Sequence, residues 1–435
     1  KNINPLAPKA PHFKPKAKRV IFVFMHGGPS QVDTFDHKPL LTRDHGKPYS
    51  GPRPRVVFAQ TGNLLKSPWE FKRYGKSGIE VSDLFPNVGK MADDLCVIKS
   101  IHGSNAAHGG ALLKLHTGSD VFVRPSMGSW LTYGLGTENQ NLPGFITICP
   151  TLGHGGVQNW SSAFLPAYAQ GTPIGNASIR ARNAKISHID NPELKGNLQR
   201  MQLDLLQGLN KEQLAHFGHD PDLEGRIESF ELAYRMQTEA PDVMDLSKES
   251  KETLEMYGAD PKVPSFARAC LLARRMVERG VRFINIYHEG WDAHSDVVGN
   301  ITGNARATDK ASAALVTDLK QRGLLDDTIV IWGGEFGRTP MVESNKALGR
   351  SQGRDHHPAA YSMWFAGGGF KQGFTFGETD DLGFNVVKDP VHVHDIQATI
   401  LHCLGIDHKR LTYRFAGRDY RLTDVHGQVV ASLLT

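Results

Sequence analysis

The sequence lacks several of the patterns that mark large protein classes. Among its 435 residues no apolar run approaches about eighteen, so we predict no membrane-spanning segment. A Gly-x-Ser-x-Gly elbow and a P-loop are both missing, which leaves those two enzyme classes without support. The four cysteines form no Cys-x-x-Cys pair and lie in apolar surroundings: Cys96, Cys149, Cys270 and Cys403. We predict small buried hydrophobic side chains there, although a disulfide between two of them stays open.

Acidic residues are absent from positions 1–19, which carry six basic residues and four prolines. The net charge of the whole chain is +5, so the remainder is close to neutral. We therefore predict that 1–19 is a basic, proline-rich arm that runs as an extended strap, and we expect no nucleic-acid partner. The chain starts at Lys1 without an initiating Met, which fits a mature or trimmed chain and leaves its compartment unread.

Apolar, β-branched runs alternate with amphipathic helical patterns along most of the chain. Strands are predicted at 20–25, 95–99, 142–148, 281–287, 328–332 and 361–366. Helices are predicted at 81–94, 111–115, 265–279, 308–322 and 393–404. This alternation predicts an α/β fold with a doubly wound, mostly parallel sheet flanked by helices.

The pattern changes between 151 and 262, where a segment rich in Gly, Asn and Ser is followed by polar helices. We interpret this part as a helical and loop-rich inserted cap. The predicted organisation is therefore the arm 1–19, a first part of the α/β domain at 20–150, the cap at 151–262, and a second part of the domain at 263–435.

Carboxylate and imidazole groups follow two of the predicted strands late in the chain. Asp292 and His294 follow one strand, and Glu335 and Arg338 follow the next. An open α/β sheet places its ligands at the carboxyl ends of its strands, and this donor set suits Zn, Mn or Fe. The alternatives are a surface turn in which Asp292 caps the next helix, and a salt bridge between Glu335 and Arg338.

Histidines also stand beside two other predicted strands. Neighbouring side chains of an extended segment point in opposite directions, so we select His356 as a ligand and expect His357 to pack or face solvent. His26 ends the first strand in a Gly-Gly turn whose backbone N–H groups suit an anion. Asp33 follows that turn and is either a metal ligand or a helix cap.

Asn105 and His108 lie in a glycine-rich loop ahead of a predicted helix. A lone histidine in such a loop usually has no chemical role. The position of this loop relative to the other polar segments nevertheless makes both residues candidates for catalysis.

Four motifs in the same order resemble one protein family: His26-Gly-Gly-Pro-Ser30, Gly290-Trp-Asp-Ala-His294, Gly333-Gly-Glu-Phe-Gly-Arg-Thr-Pro340 and Gly353-Arg-Asp-His356. The family is a sulfatase-like group of unknown function from exported bacterial proteins, within the alkaline phosphatase superfamily. The segment 319–332 resembles that superfamily's helix and strand ahead of its Asp-His-Gly motif, and 391–406 resembles its closing helix. The resemblance extends from about residue 5 to residue 433.

This resemblance implies an exported, periplasmic or extracellular protein with an α/β fold and two metal ions that bridge a phosphate or sulfate ester. By position, Asp292, His294 and His356 would hold one ion, and His26 and Glu335 the other. His26 stands where the superfamily normally has Asp, and Glu335-Phe336 replaces Asp-His.

The larger departure concerns the nucleophile of that superfamily. Aligning Leu115-His-Thr-Gly118 with the sulfatase Leu-Leu-Thr-Gly places His108 at the position of the Cys, Ser or Thr nucleophile. The chain contains no Cys-x-Pro-x-Arg or Ser-x-Pro-x-Arg motif. The usual covalent sulfatase mechanism is therefore not available to it.

We predict a metal-dependent hydrolase of a sulfate or phosphate ester on a small molecule or carbohydrate, with direct attack by a metal-activated water. The metal is one or two divalent ions, Zn or Mn, with Ca or Mg as alternatives. His108 is expected to act as general base or further ligand, and Arg338 and Arg354 to clamp the oxyanion. The alternative is a non-catalytic structural or carbohydrate-binding relative, in which Trp130, Trp160 and the insertion form the binding face.

Overall fold

The computed structural model describes residues 4–52, 61–177, 186, 189, 191–194, 197–218 and 220–435. Its α-helices in chain order are α1 (Gln31–Thr34), α2 (Pro39–Arg43), α3 (Pro86–Gly89), α4 (His108–Thr117), α5 (Met127–Leu135), α6 (Asn197–Phe217), α7 (Pro221–Met244), α8 (Lys251–Tyr257), α9 (Phe266–Glu278), α10 (Val297–Gln321) and α11 (Val393–Cys403).

The strands in chain order are β1 (Arg19–His26), β2 (Thr61–Leu64), β3 (Phe71–Tyr74), β4 (Ile79–Ser82), β5 (Leu95–His102), β6 (Phe145–Ile148), β7 (Thr172–Ile174), β8 (Phe283–Glu289), β9 (Thr328–Gly333), β10 (Gly337–Arg338), β11 (Met341–Asn345), β12 (Arg350–Gly353), β13 (His356–His357), β14 (Tyr361–Ala366), β15 (Phe374–Phe376), β16 (Glu378–Thr379), β17 (Val386–Lys388), β18 (Val391–His392), β19 (Tyr413–Phe415) and β20 (Arg418–Tyr420).

Nine strands form the central sheet of the described residues, in the order β15-β5-β14-β9-β1-β8-β6-β7, with β18 also paired to β5. β1 lies in the middle and pairs in parallel with β8 and β9. β14 is antiparallel to both of its neighbours, whereas the other pairs are parallel. The predicted mostly parallel sheet is therefore confirmed.

Both faces of the sheet are covered, which explains the unbroken apolar run of β1. Its residues Ile21, Val23 and Met25 lie in one hydrophobic core together with α9 and α10. Val20, Phe22 and Phe24 lie in a second core with α4, α5 and α11. Because side chains alternate along a strand, one segment feeds both cores, and the doubly wound architecture follows.

The predicted helix at 81–94 is wrong. The structure has β4 at its start, the short α3 in the middle, and a 3₁₀ turn at Ala92–Asp94. Pro86 stands at the first turn of α3, and a proline in the interior of one long helix would remove a hydrogen bond and clash with the preceding turn.

The range predicted as an inserted cap contains the two longest stretches of helix before α9, namely α6 and α7. It also contains β7, which pairs in parallel with β6 at the edge of the central sheet. The division of the chain into arm, cap and domain halves stays a prediction.

The described part of the arm follows the protein surface through backbone hydrogen bonds. His12 N–H donates to Gly405 O at 2.9 Å, and Lys16 N–H donates to Cys403 O at 2.8 Å. Cys96, Cys270 and Cys403 are buried among apolar side chains, as predicted, whereas Cys149, directly after β6, is only half-buried. None of the described helices is both long and apolar enough to cross a membrane.

Candidate metal centre

The predicted polar segments meet at the carboxyl ends of the three central strands. His26 is the last residue of β1, Asp292 follows β8 by three residues, and Glu335 follows β9 by two. Gly27 allows the first two loops to approach, because its φ is +118° and a Cβ there would lie 2.4 Å from Asp292 N. The sheet topology thus brings together residues that are more than 300 positions apart in the sequence.

Trp291 anchors the loop that carries Asp292 and His294. Its indole is 1% exposed and packs between Phe85 and Trp332 in the core beneath the site. The loop then runs beside the segment that leads to His356, because Arg354 N–H donates to Ala293 O at 2.9 Å. The buried Trp291 side chain and this backbone hydrogen bond therefore hold the loop of Asp292 and His294 beside the segment that carries His356.

Asp292 Oδ1 lies at the centre of the site. His294 Nε2 is 3.0 Å from this oxygen and His356 Nε2 is 3.1 Å from it. The two Nε2 atoms are themselves only 2.9 Å apart. One carboxylate oxygen and two imidazole nitrogens therefore converge on a single small volume.

The contacts of the two Nδ1 atoms indicate how the Nε2 atoms of these imidazoles are oriented. His356 Nδ1 donates to the carbonyl of Ala106 at 2.6 Å, and His294 Nδ1 lies 2.5 Å from the Glu343 carboxylate. Burial lowers the pKa of His294, but contacts with Asp292 and Glu343 outweigh it and raise the pKa, so this imidazole gains a proton more readily than His356. A cation between the two Nε2 atoms would take the place of that proton, and imidazoles oriented by a carbonyl and a carboxylate are typical of metal ligands.

The electrostatics of the cluster also favour a cation. Burial raises the pKa of Asp292, but contacts with His108, His294 and His356 outweigh it and hold the pKa well below its usual range. Burial lowers the pKa of His356 to about 4, opposed by the contact with Asp292. The carboxylate is therefore ionised, and the His356 imidazole is neutral, at neutral pH.

His108 stands beside this group at the first position of α4. Its Nδ1 lies 2.6 Å from Glu335 Oε1, and its Nε2 lies 3.3 Å from Asp292 Oδ1 in an ion-pair contact without hydrogen-bond geometry. Burial lowers the pKa of His108, but contacts with Asp292 and Glu335 outweigh it and raise the pKa to about 9. The imidazole is thus held between two carboxylates.

Glu335 lies behind His108 and not among the converging Nε2 atoms. Its side chain is fully buried, and its Oε1 also accepts the Gly27 N–H at 3.0 Å. Burial raises the pKa of Glu335, but the His108 contact and the charge of His26 lower it below its ordinary value. An ionised Glu335 fixes the proton of His108 on Nδ1 and leaves Nε2 directed toward Asp292.

A histidine that the sequence analysis missed completes the cluster. His154 Nδ1 is 3.0 Å from His26 Nε2, and the His154 ring stacks on His108 with a centroid distance of 4.8 Å. His154 stands in a Gly-rich turn shortly after β6, and its φ is +48°. The signal that selected His26, a histidine in a glycine turn after a strand, was therefore present there too.

The described residues contain three overlapping groups whose donor atoms lie within 4.8 Å of one another. Seven residues make up these three groups, and we call them the histidine cluster: His26, His108, His154, Asp292, His294, Asp355 and His356. His108 and His356 each belong to two of the groups. This sharing is compatible with one ion or with two.

Arg338 supports the cluster from inside the protein. Its guanidinium is fully buried and donates to Asp292 Oδ1 at 2.6 Å, to Gly28 O at 3.1 Å and to Arg354 O at 3.0 Å, and it also donates to Gly27 O. These contacts use its donors to join three loops and to neutralise Asp292. They do not support the predicted role as an oxyanion clamp, because the guanidinium is fully engaged with the protein.

Asp33 and Arg354 are not brought to the histidine cluster. Their side chains form a fully buried ion pair, with Arg354 Nε 2.7 Å from Asp33 Oδ2 and Nη2 3.1 Å from Oδ1. Arg354 Nη2 also donates to Leu65 O at 3.0 Å. These contacts are those of a structural pair and do not support the predicted roles as metal ligand and oxyanion clamp.

Asn105 shapes the loop that ends at His108. Its Oδ1 accepts the Ala107 N–H at 2.9 Å, and its Nδ2 donates to Asp120 at 3.4 Å. The side chain therefore turns toward the start of α4, and these contacts support a role in positioning His108 more than a role in catalysis.

Two other expectations for this region have clear outcomes. His357 points away from the cluster and is 3% exposed, with Nε2 2.5 Å from Phe384 O, as strand alternation predicts. Trp130 and Trp160 are each 1% exposed and pack in a hydrophobic core. The predicted carbohydrate-binding face built on these two tryptophans is therefore wrong.

These observations define an α/β protein with a doubly wound sheet and a cluster of imidazoles and carboxylates at its strand ends. The chain belongs to a family described as proteins of unknown function (DUF1501), which it matches over residues 17–434. The predicted membership of a family of unknown function is thus confirmed. Comparison with curated protein sequences finds no match.

Solved structures with a similar fold come from sulfatases, phosphatases and a lipoteichoic acid synthase. That synthase, LtaP from Listeria monocytogenes, is 10% identical with a TM-score of 0.40, over 96% of this chain and 78% of its own. The sulfatase PsFucS1 from Pseudoalteromonas sp. is 12% identical with a TM-score of 0.35, over 90% and 68%. The alkaline phosphatase of the Antarctic bacterium TAB5 is 11% identical with a TM-score of 0.36, over 91% and 99%. Similarities at this level say nothing about the activity of this chain.

Proposed function

We propose that this protein is a metal-dependent hydrolase of a sulfate or phosphate ester on a small molecule or carbohydrate. The observation that carries the proposal is the convergence of His294 Nε2, His356 Nε2 and Asp292 Oδ1. Two imidazoles and a carboxylate suit Zn or Mn, whereas Ca and Mg prefer all-oxygen sites. An exported location stays a prediction from the family resemblance.

Asp292, His294 and His356 would hold the divalent cation, which would polarise the ester as a Lewis acid and activate water. In hydrolysis a water oxygen bonds to the sulfur or phosphorus, and the bond from that atom to the ester oxygen breaks. The water loses a proton and the leaving oxygen gains one. Contacts with Asp292 and Glu335 outweigh burial and raise the pKa of His108 to about 9, so the ring is charged at neutral pH and is placed to donate from Nε2 the proton that the leaving oxygen gains. The proton of the attacking water passes to solvent.

The position of His108 supports direct attack by water over a covalent step. Sequence alignment places this residue where sulfatases carry their nucleophile, and the structure puts its imidazole within the histidine cluster. A histidine held between Glu335 and Asp292 suits proton transfer or metal binding. Arg338 positions Asp292, and Asn105 positions the loop before His108.

Metal analysis of the purified full chain tests the proposal. We expect stoichiometric Zn or Mn in the wild type and its loss in His294→Ala and His356→Ala. In Glu343→Gln the metal affinity should fall by roughly 10- to 100-fold, because the variant removes only the carboxylate that orients His294. The matched control is His216→Ala, at an exposed histidine of α6, which should keep the full metal content.

Activity is then assayed with aryl sulfates, aryl phosphates and phosphodiesters in added Zn or Mn. Turnover that requires metal and disappears in His108→Ala supports the hydrolase. Full metal content in both His294→Ala and His356→Ala would contradict the metal site. A metal-loaded protein without turnover on any of these esters would favour the non-catalytic relative.

A further inference from the structure

A second histidine-rich region lies outside the proposed metal centre. It is a cleft of about 910 Å³ lined by the end of β5, by α4, by the start of α11 and by the segment after β20. Four of its lining residues are histidines: His102, His392, His394 and His426. We call it the basic cleft, and the proposed hydrolysis does not use it.

The pairing of two strands places the first two of these histidines side by side. β18 is parallel to β5, and its register sets His392 directly opposite His102. Their ring centroids are 5.2 Å apart. His394 follows two residues later, and its ring stacks on His426 at a centroid distance of 5.0 Å and an interplanar angle of 10°. The four imidazoles therefore form one continuous wall of the cleft.

Three permanent cations share this cleft: Lys114, Lys409 and Arg421. Lys114 Nζ lies 3.8 Å from Asp120 and donates to Ser104 Oγ at 2.8 Å. No carboxylate among the described residues lies within ion-pair distance of Lys409 or Arg421. The cleft thus carries positive charge that the protein itself leaves largely unneutralised.

Among the described residues, Asp395 is the one acidic residue that lines the cleft, and its carboxylate is hydrogen-bonded to the backbone. Its two carboxylate oxygens accept the backbone N–H groups of His392 at 2.9 Å and Gln428 at 2.8 Å. This carboxylate caps the start of α11. Its single negative charge offsets only one of the three permanent positive charges of Lys114, Lys409 and Arg421.

His394 provides a second, independent sign of a ligand. It is 3% exposed, and its Nε2 donates to Gly118 O at 2.8 Å, which leaves Nδ1 buried without a hydrogen-bond partner. A buried polar atom without a partner is costly, and in a native protein it calls for a ligand or a water. Burial lowers the pKa of His394, so Nδ1 of the neutral ring offers a lone pair to a donor, such as a water or the hydroxyl of a protonated phosphate group.

The arrangement does not suit a metal ion. The groups of donor atoms close enough to share an ion among the described residues all belong to the histidine cluster. In the basic cleft the imidazoles instead face ammonium and guanidinium groups, which repel a cation. Lysine, arginine and protonatable imidazole side chains together are the donors that bind sulfate and phosphate.

We propose that the basic cleft binds a tetrahedral oxyanion, a sulfate or a phosphate group, at a site separate from the histidine cluster. Lys409 and Arg421 supply the permanent charge, and the wall of imidazoles shapes the cleft around the bound group. The loop 103–107 connects His102 in the cleft to His108 in the cluster, so the bound group is either a free anion or a second anionic group of the substrate. Only the latter reading rests on the proposed hydrolase function.

Calorimetric titration of the full chain with inorganic phosphate and with sulfate, in the presence of a chelator, tests this site. The wild type should bind both anions at neutral pH, with an affinity that falls as the salt concentration rises, because the permanent charges of Lys409 and Arg421 provide the attraction. In Lys409→Gln and in Arg421→Gln the affinity should fall by about tenfold. Lys251→Gln, a control at an exposed lysine of α8, should leave it unchanged.

The variant His356→Ala separates this site from the metal centre. Retained phosphate binding in that variant, together with weaker binding in Arg421→Gln, supports the cleft whether or not the protein proves to be a hydrolase. Absence of binding at millimolar anion, or binding that is lost in His356→Ala and unchanged in Arg421→Gln, would overturn the proposal. Competition by a sulfated oligosaccharide identifies a substrate-borne group, and its absence identifies a free anion.

Discussion

The histidine cluster and the basic cleft surround the same side chain with opposite charges. In the cluster, His294 and His108 contact the carboxylates of Glu343 and Glu335, and the imidazole nitrogens converge on Asp292. In the cleft, the imidazoles share the lining with Lys114, Lys409 and Arg421. The charged neighbours of an imidazole, more than the number of histidines, thus decide whether a region attracts a cation or an anion.

The comparison of the cluster with the cleft depends on which charged residues belong to the cluster. Arg354 tests this most clearly, because the structure pairs it with Asp33 outside the cluster. Arg354→Met leaves Asp33 as an unpaired buried charge, so we expect the free energy of unfolding to fall by about 3–5 kcal/mol. Urea unfolding of the variant and the wild type measures this loss. Metal content per folded molecule should stay unchanged, and loss of metal without loss of stability would place Arg354 in the site.

Ligand-induced stabilisation should separate the two regions. A ligand at 100 times its Kd stabilises the folded state by about 2.7 kcal/mol, so added Zn should raise the melting temperature of the wild type and of Arg421→Gln. The same metal should not stabilise His294→Ala. Phosphate should show the reverse pattern, stabilising His294→Ala fully and Arg421→Gln by about half as much, because a tenfold weaker affinity lowers the stabilisation from about 2.7 to about 1.4 kcal/mol at the same concentration.

Thermal melts in chelator, in Zn and in phosphate measure both effects on the same three proteins. Lys251→Gln serves again as the control and should respond to both ligands. If one variant loses both responses, the cluster and the cleft are a single site and the comparison fails.

His116 is buried and lies outside both the histidine cluster and the basic cleft. It gives the smallest of the expected effects. Burial lowers the pKa of His116 to about 3 from 6.5, so the unfolded state takes up a proton that the folded state refuses. Above pH 6.5 the imidazole is neutral in both the folded and the unfolded state, so it does not affect stability. As the pH falls from 6.5 toward 3, only the unfolded state takes up the proton, and the free energy of unfolding decreases. The expected contribution is about 1.4 kcal/mol per pH unit.

The measurement is the slope of unfolding free energy against pH between 6.5 and 4.5 for the wild type and for His116→Gln. The variant should be less sensitive to acid by that amount, whatever its stability at neutral pH. The exposed His216→Gln should keep the wild-type slope, and an equal slope in His116→Gln would contradict the assignment.

The sequence predicts the central strands well, because a strand buried on both faces needs an unbroken apolar run. β14 begins and ends at the predicted residues, and β1 extends the predicted strand by one residue at each end. The helix predicted at 81–94 failed because its apolar spacing outweighed Pro86, which marks a new start. The spacing of apolar residues thus identifies where helices and strands occur, whereas a single proline can decide where a helix begins.

The candidate site is predicted in outline but not in its inner contacts. Strand ends identify Asp292, His294 and His356, since parallel strands share one edge. Nothing local to the sequence shows that Asp33 pairs with Arg354, because that ion pair joins loops 321 positions apart. Glu343 likewise gives no local signal, since its partner His294 is supplied by another loop.

The burial of Trp291 ties the chemistry of the surface loop to the interior of the protein. Its indole shares the core with Phe85 and Trp332, while the next residue is Asp292. A substitution that repacks these rings would therefore move the Asp292 carboxylate as well. The position of a surface side chain in the histidine cluster can thus be changed from beneath, without altering any residue of the cluster.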